Sequence, residues 1–346
     1  MTARPMVAVI TATHDHERFI GPCIESVLAQ TFGGWEMVVV DDGSTDATPS
    51  IVERHATADP RVSLVTQPRR GLDRLAETYA EALNRTSAPF VAILEGDDTW
   101  PAEKLALQLP RFEDHDVVLA YGAAGLIDQH GCRYATYRRR AGEPGVENRP
   151  VGAILPALLE QNFIVAPTVV VRRAALEAIG GFWQPAGVPY VDHPTWLRLA
   201  LEGPFAFEHR VVGNWRRHPG QFTTSRAVGP QPDNRTFLHE VADEAARRGL
   251  LPDAEARSAR IASGPERHSR WSQASALRLA LLTGSAREAW NAAGPLIRTG
   301  EPKWMALAGI GLSSRLLGGD LEWIFRRTQR FSWPSRRHMR RHRATQ

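Results

Sequence analysis

The fold of this 346-residue chain is decided by residues 37–46, which read MVVVDDGSTD, and by residues 90–98, which read FVAILEGDD. In each stretch a run of apolar residues ends in a cluster of acids. Continuous apolar runs of this length are typical of strands buried on both faces, as in a parallel sheet covered by helices. Ligands of such sheets bind in the crevice beyond the carboxyl ends of the strands. We therefore expect both acidic clusters to lie at one ligand site.

Strand and helix patterns alternate four times in about the first hundred residues. The predicted strands cover residues 7–11, 36–40, 62–65 and 90–94, and the predicted helices cover residues 18–30, 49–56 and 72–84. This alternation predicts an α/β fold, with an open, mostly parallel sheet, helices on both faces and right-handed crossovers. No Gly-x-Gly-x-x-Gly follows the first predicted strand, so we do not expect an ordinary dinucleotide-binding motif.

The sequence predicts three regions. Residues 1–226 would form the α/β domain, and the Gly- and Pro-containing stretch at residues 228–233 is typical of a linker. Residues 227–325 are rich in Ala, Leu and Arg and predict a helical C-terminal region. Residues 326–346 form an Arg-rich tail, which we expect to be flexible or to contact a membrane.

The composition indicates a folded protein of a reducing compartment. Hydrophobic residues make up 43% of the chain and charged residues 23%. The two cysteines, Cys23 and Cys132, lack the spacing of metal ligands, so we expect neither a disulfide nor a zinc site. No apolar run reaches the roughly 20 residues of a membrane-spanning helix, and no signal-peptide pattern opens the chain. We therefore expect a cytoplasmic location.

The basic charge of the chain is concentrated in its tail. Eight arginines and no acids lie within residues 326–346, so the formal net charge of +4 leaves −4 for the residues before the tail. The arginines are interleaved with Phe331 and Trp333, a combination suited to anionic headgroups. We expect the tail to hold the protein at the inner face of the membrane, and the alternative is a disordered, solvated tail. Nucleic-acid binding is not expected, because the body is acidic.

Three of the predicted strands end in polar side chains. The first ends in Thr13-His14-Asp15, the second in Asp41-Asp42 and the fourth in Glu95-Gly96-Asp97-Asp98. With this order the chain resembles the inverting family 2 glycosyltransferases of the GT-A fold, whose pattern is a strand ending P-T-Y-N, then D-D-G-S-T-D, then D-x-D. Later matches are Trp100, Lys104, Gln108, Asn162–Pro167, Arg172–Leu176, Ile179–Phe182, Val191–Leu199 and Arg216–His218. The resemblance spans about residues 6–226.

This resemblance implies a site for a nucleotide diphosphate sugar and a divalent ion. It gives Asp97 as the main ion ligand, with Glu95 near the ion or the ribose. It leaves His218 as either a further ligand or a solvated loop histidine. Carboxylates are the hard oxygen ligands that Mn²⁺ and Mg²⁺ prefer. The donor-binding residues that it implies are Thr13 and His14 at the base, Asp41 or Asp42 at the base and ribose, and Asp15, Glu95, Gly96 and Asp97. Arg70 would contact the phosphates, or else is an ordinary basic residue after the third strand.

The resemblance also implies an acceptor side. Asp192 occupies the position of the family's base, which would take the proton of an acceptor hydroxyl. Since Asp192 directly precedes an apolar helix pattern at residues 196–201, a plain helix cap is the alternative. Trp183 would stack on a sugar acceptor or else pack in the core, and Asp98 would lie on the acceptor side.

Two features qualify the resemblance. The chain departs from the family pattern at Ala12, His14, Asp15, Glu95 and Val191, where Pro, Tyr, Asn, Asp and Glu are commoner. Asp and Gly also favour turns at strand ends for purely structural reasons. Turn preference explains one acidic cluster, but it explains poorly two clusters together with Asp192 and His218.

We therefore expect a metal-dependent, inverting glycosyltransferase that uses Mn²⁺ or Mg²⁺. It would move a sugar from a nucleotide diphosphate donor, by preference a UDP-sugar, to a hydroxyl of a glycan or lipid-linked acceptor. One alternative, a nucleotidyltransferase, would need a Gly-rich phosphate loop with a basic residue after the first strand, and Thr13-His14-Asp15 is not such a loop. The other alternative, a non-catalytic nucleotide-sugar binding protein, would bind donor without turnover.

Overall fold

The computed structural model of this chain describes residues 4–138, 146–218, 221, 235–251, 277, 286–298, 305, 308–309, 312 and 331–332. Backbone contacts divide the chain into two compact units. The first contains Met1–Ala124, Arg138–Trp215 and Pro232–Ile261, and the second contains Gly125–Tyr137, Arg216–Gln231 and Ala262–Gln346. The domain boundaries predicted at residues 226 and 325 stay predictions.

Strand and helix alternate from the first strand to the fourth, as predicted. The strands are β1 (Val7–Thr13), β2 (Trp35–Asp42), β3 (Val62–Gln67), β4 (Phe90–Ile93), β5 (Leu119–Ile127), β6 (Arg133–Tyr137), β7 (Val170–Arg172), β8 (Phe205–Arg216) and β9 (Phe331–Ser332). The α-helices are α1 (Ile20–Leu28), α2 (Thr48–Ala58), α3 (Leu75–Asn84), α4 (Lys104–Gln108), α5 (Leu155–Glu160), α6 (Arg173–Ala178), α7 (Asp192–Leu199), α8 (Arg235–Arg247) and α9 (Ala286–Arg298). Short 3₁₀ helices cover Leu72–Arg74, Leu109–Glu113 and Ala166–Thr168.

The sheet of the first unit is parallel on one side and antiparallel on the other. Strands β3, β2, β1 and β4 are parallel neighbours in that order. Strand β7 then pairs antiparallel with β4, and β5 pairs antiparallel with β7. Because β1 lies between β2 and β4, the carboxyl ends of these three strands meet at one edge. The predicted α/β fold with a mostly parallel sheet is therefore confirmed.

The core forms where helices cover the parallel strands. Helix α1 turns Ile20, Cys23, Ile24 and Val27 inward, and these four side chains are fully buried. Their spacing of three and four residues is the amphipathic pattern that the sequence predicts for this segment. Burial of an aliphatic side chain of this size stabilises the fold by about 1.5–3 kcal/mol. This packing fixes the strands whose ends carry the acidic clusters.

Two regions differ from the predictions or extend beyond the described residues. The helix predicted over residues 72–84 is split into a 3₁₀ turn and α3, because Arg74 has φ −125° and ψ 30°, outside the helical range. In the predicted helical region, α8 and α9 are described and much of the rest lies outside the described residues, as does the Arg-rich tail apart from residues 331–332. Within the described ranges, every helix is too short or too polar to cross a membrane.

A buried carboxylate ties the end of β2 to the segment that follows β3. Oδ1 of Asp42 accepts hydrogen bonds from the side-chain amide of Gln67 at 2.7 Å and the backbone N–H of Arg70 at 2.8 Å, and Oδ2 accepts the N–H of Gly71 at 2.8 Å. Burial raises the pKa of Asp42, but the three hydrogen bonds lower it by a larger amount, so the pKa lies below its usual value. The ionised carboxylate therefore holds the turn at Arg70 beside the strand end.

We expect Asp42→Asn to lower the free energy of unfolding by about 1–3 kcal/mol at neutral pH. The variant replaces one accepting oxygen with an N–H₂ group, which cannot accept the N–H donors that face it. The folded pKa of Asp42 lies below the unfolded one, so its contribution is present above about pH 4 and is lost as the pH falls through the folded pKa. In urea unfolding followed by circular dichroism, the difference between wild type and variant should shrink toward low pH. The exposed Asp116→Asn is the matched control. Equal stability of Asp42→Asn and wild type at neutral pH would contradict this account.

Candidate active site

Three strand ends bring the predicted site residues to one edge of the sheet. Thr13, the last residue of β1, pairs in register with Asp41 of β2. On the other side of β1, strand β4 ends at Ile93, just before Glu95. The two acidic clusters of the sequence therefore flank the end of β1.

The cluster after β4 is a group of carboxylates. Glu95, Asp97 and Asp98 each offer one ligand atom, and these atoms lie within 4.8 Å of one another. Among the residues that the structure describes, this is the one group of three His, Cys, Asp or Glu side chains close enough to hold an ion. Asp97 and Asp98 are buried, and Glu95 is half-buried. A group of this kind can bind a cation through oxygen.

Gly96 lets this acidic loop pack directly on β1. A Cβ at Gly96 would lie 2.5 Å from the hydroxyl oxygen of Thr13 and 2.8 Å from Nδ1 of His16. Those two atoms lie 3.1 Å from each other and form a hydrogen bond. A side chain at this position would therefore push the carboxylates away from the strand end.

Electrostatic interactions connect this group to Asp192, which lies far along the chain. Burial, followed by the charges of Asp97 and Asp192, raises the pKa of Glu95 to about 8. The hydroxyl of Tyr79, on α3, donates a hydrogen bond to Oε1 of Glu95 at 3.4 Å and offsets part of that rise. Burial, followed by the charges of Glu95 and Asp192, raises the pKa of Tyr79 well above its usual value. The predicted ion ligands and the predicted base thus share one electrostatic environment.

These residues fit a divalent cation. Carboxylate oxygens are the ligands that Mn²⁺ and Mg²⁺ prefer. The pKa of Glu95 is raised first by burial and then by repulsion from the negative charges of Asp97 and Asp192. A cation bound among the carboxylates would offset that repulsion. When no cation is bound, a proton on Glu95 offsets it instead.

Asp192 is the first residue of α7, and an amide fixes its carboxylate. Nδ2 of Asn162 donates a hydrogen bond to Oδ2 of Asp192 at 2.8 Å. Burial raises the pKa of Asp192, and the hydrogen bonds from the His193 N–H and from Asn162 offset part of the rise. The residue before the helix, Val191, makes no side-chain capping bond. A role at the helix start and a role as base are compatible at this position, and the base role stays a prediction.

The loops after β1 and β2 interlock at the predicted donor site. Oδ1 of Asp15 accepts the N–H of Thr45 at 2.7 Å, and the N–H of Asp15 donates to Oγ of Ser44 at 2.9 Å. Nδ1 of His14 lies 3.1 Å from the carbonyl oxygen of Asp42, and Nε2 lies 3.2 Å from Oδ2 of Asp15. The hydrogen bond from Thr45 holds the pKa of Asp15 below its usual value. These bonds fix the two loops against each other.

Asp41 and Arg70 also take part in contacts within the protein. The carboxylate of Asp41 accepts the N–H of Ser44 at 3.0 Å and a hydrogen bond from the Ser44 hydroxyl. Nη1 of Arg70 lies 3.7 Å from Oε2 of Glu77, and the Arg70 side chain is partly exposed. The predicted contacts of Asp41 with the nucleotide and of Arg70 with phosphate stay predictions.

Trp183 contacts two side chains that the sequence analysis did not connect with it. The guanidinium carbon of Arg198 is 3.7 Å from the centroid of the Trp183 ring, and the ring of Phe237, on α8, is 5.8 Å away and nearly perpendicular. Phe237 also packs edge-on against His193, the neighbour of Asp192, at 5.8 Å. These contacts join distant segments, so no local pattern could reveal them. Stacking of Trp183 on a sugar stays a prediction.

Two predicted residues complete the set. His218 is buried in the second unit, just after β8. Asp98 is fully buried. The ion-binding role of His218 and the acceptor role of Asp98 stay predictions.

Comparison with known proteins gives the family. The model described as glycosyl transferase family 2 matches residues 8–180, half of the chain. This span contains the loops after β1, β2 and β4 and ends before Asp192. WfgD of Escherichia coli, named as a UDP-Glc:alpha-D-GlcNAc-diphosphoundecaprenol beta-1,3-glucosyltransferase, is 32% identical over 198 residues, which are 56% of this chain and 69% of WfgD.

Two solved structures are similar to the whole fold. TarS of S. aureus, in complex with UDP-GlcNAc, is similar with a TM-score of 0.58 and 20% sequence identity. The similarity covers 90% of this chain and 92% of the TarS chain. Mannosyltransferase PcManGT from Pyrobaculum calidifontis, in complex with GDP-Man and Mn²⁺, has a TM-score of 0.55 and 20% identity and covers 92% of this chain and 89% of its own. These similarities confirm the predicted GT-A fold. Because the family model matches half of its residues, this chain belongs to glycosyl transferase family 2.

Proposed function

We propose that this glycosyltransferase is metal-dependent and inverting. It moves a sugar from a nucleotide diphosphate sugar to a hydroxyl of a glycan or lipid-linked acceptor. The observation that carries the proposal is the group of carboxylates after β4, where the ligand atoms of Glu95, Asp97 and Asp98 lie within 4.8 Å of one another. After burial and the charge of Asp97, the charge of Asp192 also raises the pKa of Glu95. Together these observations support a single site in which ion ligands and a base act on one donor.

Asp97 and Glu95 would hold the ion, Mn²⁺ or Mg²⁺, through their carboxylate oxygens. When bound there, such an ion would supply positive charge to stabilise the negative charge that develops on the leaving group. The close group that these residues form with Asp98 supports this assignment. So does the Mn²⁺ that accompanies GDP-Man in the structure of PcManGT.

Asp192 would act as the base. In an inverting displacement the acceptor oxygen attacks the anomeric carbon on the face opposite the diphosphate. The new carbon–oxygen bond forms as the bond to the diphosphate oxygen breaks, and the hydroxyl proton passes to Asp192. Burial raises the pKa of Asp192, which makes its carboxylate a stronger base than an exposed one.

The donor is proposed to be a UDP-sugar and the acceptor a lipid-linked glycan. TarS is solved with UDP-GlcNAc, and the name of WfgD gives UDP-Glc as donor and a diphosphoundecaprenol-linked sugar as acceptor. In this chain the interlocked loops after β1 and β2 would hold the nucleoside beside Thr13 and His14, and Arg70 would reach the phosphates. The hydrogen bonds between those loops support a pocket that is already formed before the donor binds.

Contact with an anionic membrane would bring the enzyme to such an acceptor. Trp290 and Ile297, on α9, are 66% and 38% exposed, and Arg287 and Arg298 are exposed on the same helix. Arginine together with exposed aromatic and aliphatic side chains suits the membrane interface. The tail adds eight arginines, each of which contributes about 1 kcal/mol near an anionic surface at low salt.

We expect Asp97→Ala to abolish the part of nucleotide binding that depends on Mn²⁺, because the variant lacks the main ion ligand. Isothermal titration calorimetry with UDP, with and without Mn²⁺, measures this directly. The wild type should gain affinity from Mn²⁺ and the variant should not. The exposed Asp116→Ala is the matched control and should behave as wild type. If Asp97→Ala keeps the full Mn²⁺ effect, Asp97 is not an ion ligand.

The variant Asp192→Asn should fold, bind UDP with Mn²⁺ and transfer sugar about 10²–10⁴-fold more slowly, because an amide cannot take the acceptor proton. Turnover is measured as UDP release from a panel of UDP-sugars, and folding by circular dichroism. The exposed Glu177→Gln removes one acid elsewhere in the first unit and should leave turnover unchanged. Near wild-type turnover of Asp192→Asn would reduce Asp192 to a helix-start residue.

Deletion of residues 326–346 should lower sedimentation with vesicles of phosphatidylserine and phosphatidylcholine at low salt, since the deletion removes eight positive charges. UDP binding with Mn²⁺ should be unchanged. Salt should release the full-length protein from the vesicles. If full-length and truncated proteins sediment equally at low salt, the tail is only a solvated segment.

A further inference from the structure

The side-chain amide of Asn162 is held at both ends. Its oxygen accepts the backbone N–H of Ile164 at 3.1 Å, and its nitrogen donates to Oδ2 of Asp192 at 2.8 Å. Because the oxygen faces an N–H donor, the amide must present its N–H₂ group to the carboxylate. A residue outside α7 therefore helps to set the orientation of the Asp192 carboxylate, beside the His193 N–H within the helix.

The backbone that follows Asn162 is held by three buried side chains. Nε1 of Trp100 donates to the carbonyl oxygen of Pro167 at 2.8 Å. Nε2 of Gln108 donates to the carbonyl oxygen of Thr168 at 2.8 Å. Nζ of Lys104 donates to the carbonyl oxygen of Val169 at 3.4 Å. All three donors follow closely on the acidic loop at residues 95–98. The segment that carries Asn162 is thus tied to the stretch of chain that carries the candidate ion ligands.

Lys104 makes this connection costly to rearrange. It is fully buried, and its Nζ lies 2.6 Å from Oε1 of Gln108 and 4.8 Å from the centroid of the Trp100 ring. Burial lowers the pKa of the Lys104 ammonium group. A buried donor that lost its partners would destabilise the protein by more than a typical hydrogen bond contributes. The observed arrangement of the three side chains is therefore strongly favoured.

We propose that Asn162 is a positioning residue for the base: its N–H₂ group donates to Oδ2 of Asp192 and, together with the N–H of His193, fixes the direction in which the carboxylate receives the proton of the acceptor hydroxyl. This inference rests on the proposed role of Asp192. The terminal torsion of an aspartate is broad and roughly twofold, so firm donors can select its orientation. An amide suits the task because it is neutral and does not protonate the base. Val191 stands where the family pattern has Glu, and its side chain has no polar atom with which to orient the Asp192 carboxylate.

A double-mutant cycle tests the inference with Asn162→Ala, Asp192→Asn and the two together. The probe is UDP release from UDP-glucose or UDP-N-acetylglucosamine with Mn²⁺ and with water as the acceptor. We expect Asn162→Ala to lower kcat about 10- to 100-fold, the loss expected for one hydrogen bond to a charged group. The affinity for UDP with Mn²⁺ should stay within about twofold of wild type. In the Asp192→Asn background, Asn162→Ala should cost nothing further in kcat.

Two further variants separate positioning from folding. Asn162→Asp keeps an oxygen for the N–H of Ile164 but cannot donate to Asp192 when ionised, so it should lower kcat as Asn162→Ala does. Gln161→Ala, at the neighbouring half-buried position, should leave kcat and the melting temperature unchanged. A wild-type kcat for Asn162→Asp would overturn the inference.

The outcomes for Asn162 and Asp192 are distinguishable. If Asp192→Asn lowers kcat and Asn162→Ala lowers it by the same factor in that background as in the wild type, the positioning role alone is overturned. Asn162 would then act independently of the base. Wild-type turnover of Asp192→Asn overturns the proposed base and the positioning role with it. A loss of kcat that disappears in the Asp192→Asn background supports both.

Discussion

Repulsion among carboxylates in a buried crevice is the constraint on which the site depends. Asp97 and Asp98 are buried at the end of β4, and burial, followed by the charges of Asp97 and Asp192, raises the pKa of Glu95 to about 8. Like charges this close persist only where the fold holds them there, through a glycine at position 96 and the register of three parallel strands. A proton on Glu95 or a divalent cation relieves the repulsion. The proposed ion therefore competes with protons for the same oxygens.

Neutral donors hold these carboxylates in place. The hydroxyl of Tyr79 donates to Glu95, and the amide of Asn162 donates to Asp192. A neutral donor fixes the direction of a carboxylate and leaves its negative charge for an ion or a proton, whereas an arginine would form an ion pair and neutralise it. The buried ammonium group of Lys104 bonds to an amide oxygen and a backbone carbonyl oxygen. Neutral side chains thus orient the carboxylates of Glu95 and Asp192 without neutralising their negative charge.

Local sequence pattern was sufficient for the fold and for the position of the acidic loops. Residues 37–46 and 90–98 carry both signals, because strand burial and the residues at a strand end are local properties. Tyr79 was not predictable as a site residue, since it occupies an ordinary buried position on an amphipathic helix. The bond from Asn162 to Asp192 was equally hidden, because asparagine is common in loops and the contact joins segments far apart in the chain. The sequence therefore predicted that the acidic clusters lie at one edge of the sheet, and only the three-dimensional structure revealed what orients their carboxylates.

We propose that the carboxylates after β4 hold one divalent ion beside the diphosphate of the donor. Anomalous diffraction at the manganese edge, from crystals containing MnCl₂ and UDP, tests this proposal most directly. We expect a single strong manganese peak beside Asp97 and Glu95, next to the phosphates of UDP. UDP bound at the ends of β1 and β2 with manganese away from Asp97, or with no manganese at that edge of the sheet, would contradict it.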